Sequence, residues 1–128
     1  MPEEGRTLEE RAALFASRCI AVCERIPRGR VGGAHLRDQL LRSATGVAAN
    51  YAEAEEAESR PDFIHKMKLA MKELAEARMW LRILAAGRYF DASHLAPLVD
   101  ESLQLSRIMG KGVSTARRRL REEGEALE

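Results

Sequence analysis

Phe63, Met67, Ala70, Leu74, Ala77, Leu81 and Leu84 follow one another by alternating steps of four and three residues. That spacing puts all of them on one stripe of a single α-helix. The residues between are polar: Lys66, Lys68, Lys72, Glu73, Glu76, Arg78 and Arg82. They are expected to stay free for solvent or a partner. A stripe this regular needs other helices to cover it, so the pattern predicts a helical bundle.

Three more stripes follow the same rule. Leu8, Ala12, Phe15, Cys19, Val22 and Ile26 form the first, introduced by Thr7-Leu8-Glu9-Glu10, which reads as a capping box. Pro27 to Gly33 breaks the pattern. Leu36, Leu40, Ala44, Val47, Tyr51 and Ala54 form the second. Ser59 then caps, Pro61 is tolerated in a first turn, and Gly87 is suited to close the third helix. The fourth carries Leu95, Leu98, Ser102, Leu105, Met109, Gly112 and Ala116; small Ser102 and Gly112 admit close approach of a neighbour. Beyond it, Glu122 to Glu128 is acidic and expected to fray. The reading is all-α: one domain over residues 1–128, an antiparallel up-down-up-down four-helix bundle with helices over about 7–26, 34–58, 60–86 and 92–121. No strand-like alternation competes with it.

A second set of large apolar residues lies off the main stripes: Ile64, Met71, Trp80 and Ile83 on the third helix, and Val99, Leu103 and Ile108 on the fourth. Two readings stand at this point. The stripes are simply wide, or these residues form a subunit interface, where Trp and Met are enriched.

The net charge of +1 selects no partner by itself. No apolar run approaches a membrane span, and the acidic start Met1-Pro2-Glu3-Glu4 lacks the order of a signal peptide. A cytoplasmic protein without membrane contact is expected. Cys19 and Cys23, one turn apart, then read as reduced core residues. Metal-binding bundles need repeated Glu-x-x-His pairs; only Asp62-x-x-His65 comes near, and Asp62 is better explained as a first-turn complement to the helix dipole. Gly32-Gly33 lacks the Lys-Ser/Thr of a phosphate loop. No metal, cofactor or catalytic group is expected, and no enzyme.

Two basic clusters remain. Arg25, Arg28 and Arg30 surround the first loop, and Arg117, Arg118, Arg119 and Arg121 close the fourth helix. An up-down-up-down bundle sets them at opposite ends. The tail reads either as charge favourable at a helix C-terminus or as a footprint for nucleic-acid phosphates, helped by Lys111. The following glutamates and the lack of interleaved aromatics weigh against the second.

The centre of the chain resembles a known family. Arg42-Ser43-Ala44-Thr45-Gly46-Val47-Ala48-Ala49-Asn50-Tyr51-Ala52-Glu53-Ala54 is similar to the signature of the four-helix-bundle proteins encoded in 23S rRNA intervening sequences. Glu56 to Lys66, with Asp62-Phe63, resembles that family's junction, and Lys72-Glu73, Glu76 and Trp80-Leu81 match one branch. The resemblance covers about Phe15 to Arg119. Gly46 departs from it where Ser is usual, and Ala52 where a larger residue is common.

The resemblance implies an antiparallel bundle that assembles as a ring-like homopentamer, with ribosomal RNA as the associated partner and no established activity. It moves the second apolar set toward the interface reading. It also makes Arg42, Ser43, Asn50, Tyr51, Glu53, Phe63, Lys72, Glu73, Glu76 and Trp80 signature positions. The expected function is a non-enzymatic homo-oligomer that contacts RNA or DNA non-specifically through Lys111, Arg117, Arg118, Arg119 and Arg121. The alternative is an interaction scaffold that binds proteins and no nucleic acid.

Overall fold

The computed structural model describes residues 5–127. Each apolar stripe becomes one helix: α1 spans Leu8–Glu24, α2 Gly33–Glu55, α3 Arg60–Ala86 and α4 Ala92–Leu127. Sequential neighbours pack together and α4 returns to α1, so the helices stand at the corners of a square, with no close backbone approach across either diagonal among the described residues. Phe15, Leu40, Val47, Leu74, Leu81, Leu84, Leu95 and Leu105 meet at its centre, fully buried. A bundle is thus the answer to four one-sided stripes that cannot be covered singly.

Local chemistry sets the helix ends. The Thr7 hydroxyl accepts from the Glu10 amide at 3.1 Å, and the Ser59 hydroxyl from the Asp62 amide at 3.2 Å. Gly32 begins α2 at φ 84, and Gly33 sits so close to Pro27 that an added Cβ would lie 2.8 Å from its carbonyl oxygen. The α2 helix stops three residues before the expected end, because residues 56–59 turn the chain. At the end of α3 the left-handed residue is Arg88, at φ 59, rather than Gly87. The Tyr89 amide donates to Leu84 O at 2.9 Å and the Arg88 amide to Ala85 O at 3.1 Å, a Schellman closure with Arg in the position glycine usually takes.

One residue of the first basic cluster is absorbed here. The Arg30 guanidinium donates to Gly87 O at 3.0 Å and Arg88 O at 3.1 Å, and lies 3.8 Å from the centre of the Tyr89 ring. The Tyr89 hydroxyl donates back to Val31 O. The first loop and the α3–α4 turn are latched together at that end of the bundle.

Length differs sharply between partners: α1 has 17 residues and α4 has 36. Pro97 lies inside α4 and withholds one backbone donor near its start. The register of the short helix against the long one is held by Arg11. It donates to Glu101 at 2.7 and 3.2 Å and to Gln104 at 3.1 Å. Glu101 is only 6% exposed, so this is a buried bidentate pair. At the opposite end α4 continues to Leu127, past the point where the sequence suggests fraying. Arg118 reaches Glu122 at 3.8 Å, one turn on, and Arg60 of α3 holds Glu123 through a forked contact.

Cys19 and Cys23 are both buried. Burial, with Cys23 beside it, pushes the Cys19 thiol up to about 12; burial also raises Cys23. Both are packing residues rather than nucleophiles.

Candidate functional site

Two regions gather the polar residues singled out above. The first is the flank where α2 meets α3. Along α2, His35, Gln39, Arg42, Gly46, Asn50 and Glu53 recur by threes and fours, and Lys66, Glu73, Glu76 and Trp80 face them from α3. Glu53 pairs with Lys66 at 3.2 Å, and Arg42 lies 3.8 Å from Glu76. Asn50 donates to its own helix, to Gly46 O at 2.9 Å, and the buried Ser43 hydroxyl donates to Gln39 O at 3.0 Å. Tyr51 belongs to the core; burial raises its hydroxyl first, and its hydrogen bond to Glu55 raises it further.

Glu73 is the unusual member. It occupies the space a side chain at position 46 would need: an added Cβ there would lie 3.0 Å from Glu73 Cδ and 3.2 Å from Oε2. The departure at Gly46 therefore has a physical reason, which is room for Glu73. Burial holds its carboxyl above the usual carboxylate range, and the neighbouring Glu76 carboxylate pushes the same way. Glu73 Oε2 and Trp80 Nε1 are both buried without a hydrogen-bond partner. They lie two turns apart on α3. The His35 ring meets the Trp80 ring edge-on at 6.0 Å. Unpaired buried polar atoms are costly, and this flank holds two that the described residues leave without a partner.

The expected interface residues do not form one patch. Ile64 and Met71 turn toward α4; the Met71 methyl lies 3.5 Å from where a Cβ would sit at Gly110. Trp80 is on the opposite flank of α3, against α2, and Ile83 is 37% exposed between them. Val99 and Leu103 line a shallow apolar groove with Leu81 and Ala85. Nor do the polar residues of α3 all remain free: Arg78 donates to the buried Ser102 hydroxyl at 3.2 Å.

The second region is the far end of α4. Every described side chain from Arg117 to Glu125 is exposed. At about 100° per residue the arginines do not share one face. Arg117, Arg121 and Arg118 fall within about 100° of one another, and Arg119 lies on the other side, toward α2. Because α1 begins only at Leu8, one turn before the Arg11 that reaches Gln104, α4 runs on with no α1 beside it. The vacated corner is a cleft of about 660 Å³. Ala54, Phe63, Gly112 and Ala116 line its apolar part, with Lys111 and Arg119 on the α4 wall and, facing them, Glu55 at the end of α2 and Glu58 in the turn that follows. Phe63 is an aromatic beside the basic wall that no local spacing around the arginines could reveal.

Among the described residues no group of three or more His, Cys, Asp or Glu side chains is placed to hold a metal ion. No helix among them is long and apolar enough to cross a membrane.

Comparison with known proteins bears on both regions. The family model described as 23S rRNA-intervening sequence protein matches residues 7–111. The α2–α3 flank lies inside that span, whereas Arg117 to Arg121 lie beyond it. A solved structure from Bacteroides thetaiotaomicron, a protein of unknown function from the S23 ribosomal protein family, is 27% identical, with a TM-score of 0.76. The match covers 84% of this chain and 98% of that one. Comparison with curated proteins found no match.

Proposed function

This chain belongs to the 23S rRNA-intervening sequence protein family, and on that footing we propose that it acts as a non-enzymatic homo-oligomer, a pentamer, that associates with RNA through the arginines of α4. One observation carries the RNA reading: α4 carries its arginines at the end of the bundle, where all are exposed and none is needed by the core. The descriptions of the family and of the Bacteroides relative, both ribosomal, support RNA as the polyanion. Assembly is supported by the α2–α3 flank. Glu73 Oε2 needs a donor and Trp80 Nε1 an acceptor, and a second subunit seated there would supply both. Contacts to phosphate alone make binding independent of sequence.

A second reading, a protein scaffold that binds no nucleic acid, has its own observation. Glu122 and Glu123 pair with Arg118 and Arg60 and reduce the net positive charge of the tail. The discriminating experiment combines light scattering with anisotropy titrations against unrelated RNA and DNA oligomers at two salt concentrations. The RNA reading expects a mass of five chains and an affinity that falls steeply with salt, by a slope of about 0.7 per phosphate contact on single strands. Changing Arg117, Arg118, Arg119 and Arg121 together to Ala should abolish it. A monomer at micromolar concentration would refute the assembly. Salt-insensitive binding, full binding by the variant, or no binding at low salt would refute the RNA contact, and the last result would select the scaffold.

A further inference from the structure

We infer that the cleft left by the short α1 is a seat for single-stranded nucleic acid, with a base in the apolar notch and the backbone along the α4 wall. The inference rests on the RNA reading above and adds a strand preference and a location. The notch lies where Arg11, in the first turn of α1, meets Glu101 and Gln104, and α4 runs on beyond the start of α1 at Leu8. Its volume, about 660 Å³, is that of a small-molecule site. Lys111 and Arg119 are eight residues apart on α4, about 12 Å along its axis, so a strand laid on that wall meets a cation at either end. Between them Gly112 and Ala116 keep the wall low, and Phe63 supplies an aromatic surface for a base.

Charge chooses the direction of the strand. Glu58, in the turn after α2, would repel phosphate and accept hydrogen bonds from the amino groups of bases, while Arg60 just along the chain is held by Glu123. Glu55 is engaged by the Tyr51 hydroxyl. Backbone toward α4 and base edges toward α2 is the arrangement that suits both walls. A duplex keeps its bases stacked inside and has nothing to place in the notch.

The test is a titration of the full chain with a fluorescein-labelled ten-nucleotide RNA of mixed sequence, single-stranded and as a duplex, at two salt concentrations. Stacking of one base predicts that the single strand binds about ten-fold tighter than the duplex. Gly112→Leu fills the notch from a position where a Cβ has only Phe63 nearby, at 3.9 Å. It should erase the preference and leave the salt slope unchanged. Thr115→Leu narrows the same wall and should act in the same direction, with the helical circular dichroism of both variants retained. Equal binding of both probes by the unmodified chain, or a preference that survives in both folded variants, would overturn the notch and leave the arginine contacts standing. No binding of either probe would overturn both. A fall in oligomer mass in Gly112→Leu would show that a second copy fills the cleft, which also overturns the inference.

Discussion

The Arg11–Glu101 pair ties the first turn of α1 to α4, and its removal has a calculable cost. Side-chain exposures are 13% for Arg11 and 8% for Glu101. Two charge-assisted hydrogen bonds join them, and a third ties Arg11 to Gln104. Arg11→Met leaves the Glu101 carboxylate buried and unpaired, which costs about 3–5 kcal/mol. That is a large share of the roughly 5–15 kcal/mol that holds a domain together. Replacing both partners, Arg11→Met with Glu101→Leu, removes the charge along with its partner and should recover most of the loss. Urea denaturation followed by far-ultraviolet circular dichroism measures all four corners of the cycle. A loss below about 1 kcal/mol in the single variant, or a double variant as unstable as the two singles added, would refute the claim that a buried pair sets the register.

Two further outcomes are expected. Glu73 has a carboxyl raised above its ordinary value of 4.5, so its ionised form is the one disfavoured by folding. That contribution is harmless below the unfolded value and grows as pH rises through the folded one. Melting temperature should therefore fall from about pH 4.5 upward in a way that Glu73→Gln flattens, with the variant the more stable at neutral pH; identical profiles would count against it. Arg88→Gly relieves a left-handed non-glycine residue at φ 59 and should raise stability by about 1 kcal/mol. A lower melting temperature would mean that the Arg88 side chain contributes more than its backbone costs.

Legibility followed the range of each interaction. The stripes of α2 and α3 were readable because helical packing repeats every three or four residues, and Leu40, Ala44, Val47, Leu74, Ala77 and Leu81 are all fully buried. Caps at Thr7 and Ser59 were readable for the same local reason. Arg11 and Glu101 stand 90 residues apart, and no spacing joins them. Phe63 meets Lys111 and Arg119 only in three dimensions. The Gly87–Arg88 exchange shows a different failure: composition favours glycine at the left-handed position, but the chain places it one residue early. At Gly46 a signal was present, since a missing side chain in a polar stripe asks what fills its place, and Glu73 is the answer.

Beyond Ala116, α4 is a helix without a core. Its last turns are kept by their own backbone ladder and by the Arg118–Glu122 and Arg60–Glu123 pairs, and exposed pairs weaken as salt rises. Amide exchange there should be governed by local opening, with protection fading residue by residue toward Leu127, while amides near Leu105 report the unfolding of the whole domain. The one helix thus has two stabilities set by different forces. A core substitution lowers the first half and leaves the tail alone; added salt loosens the tail and leaves the core alone.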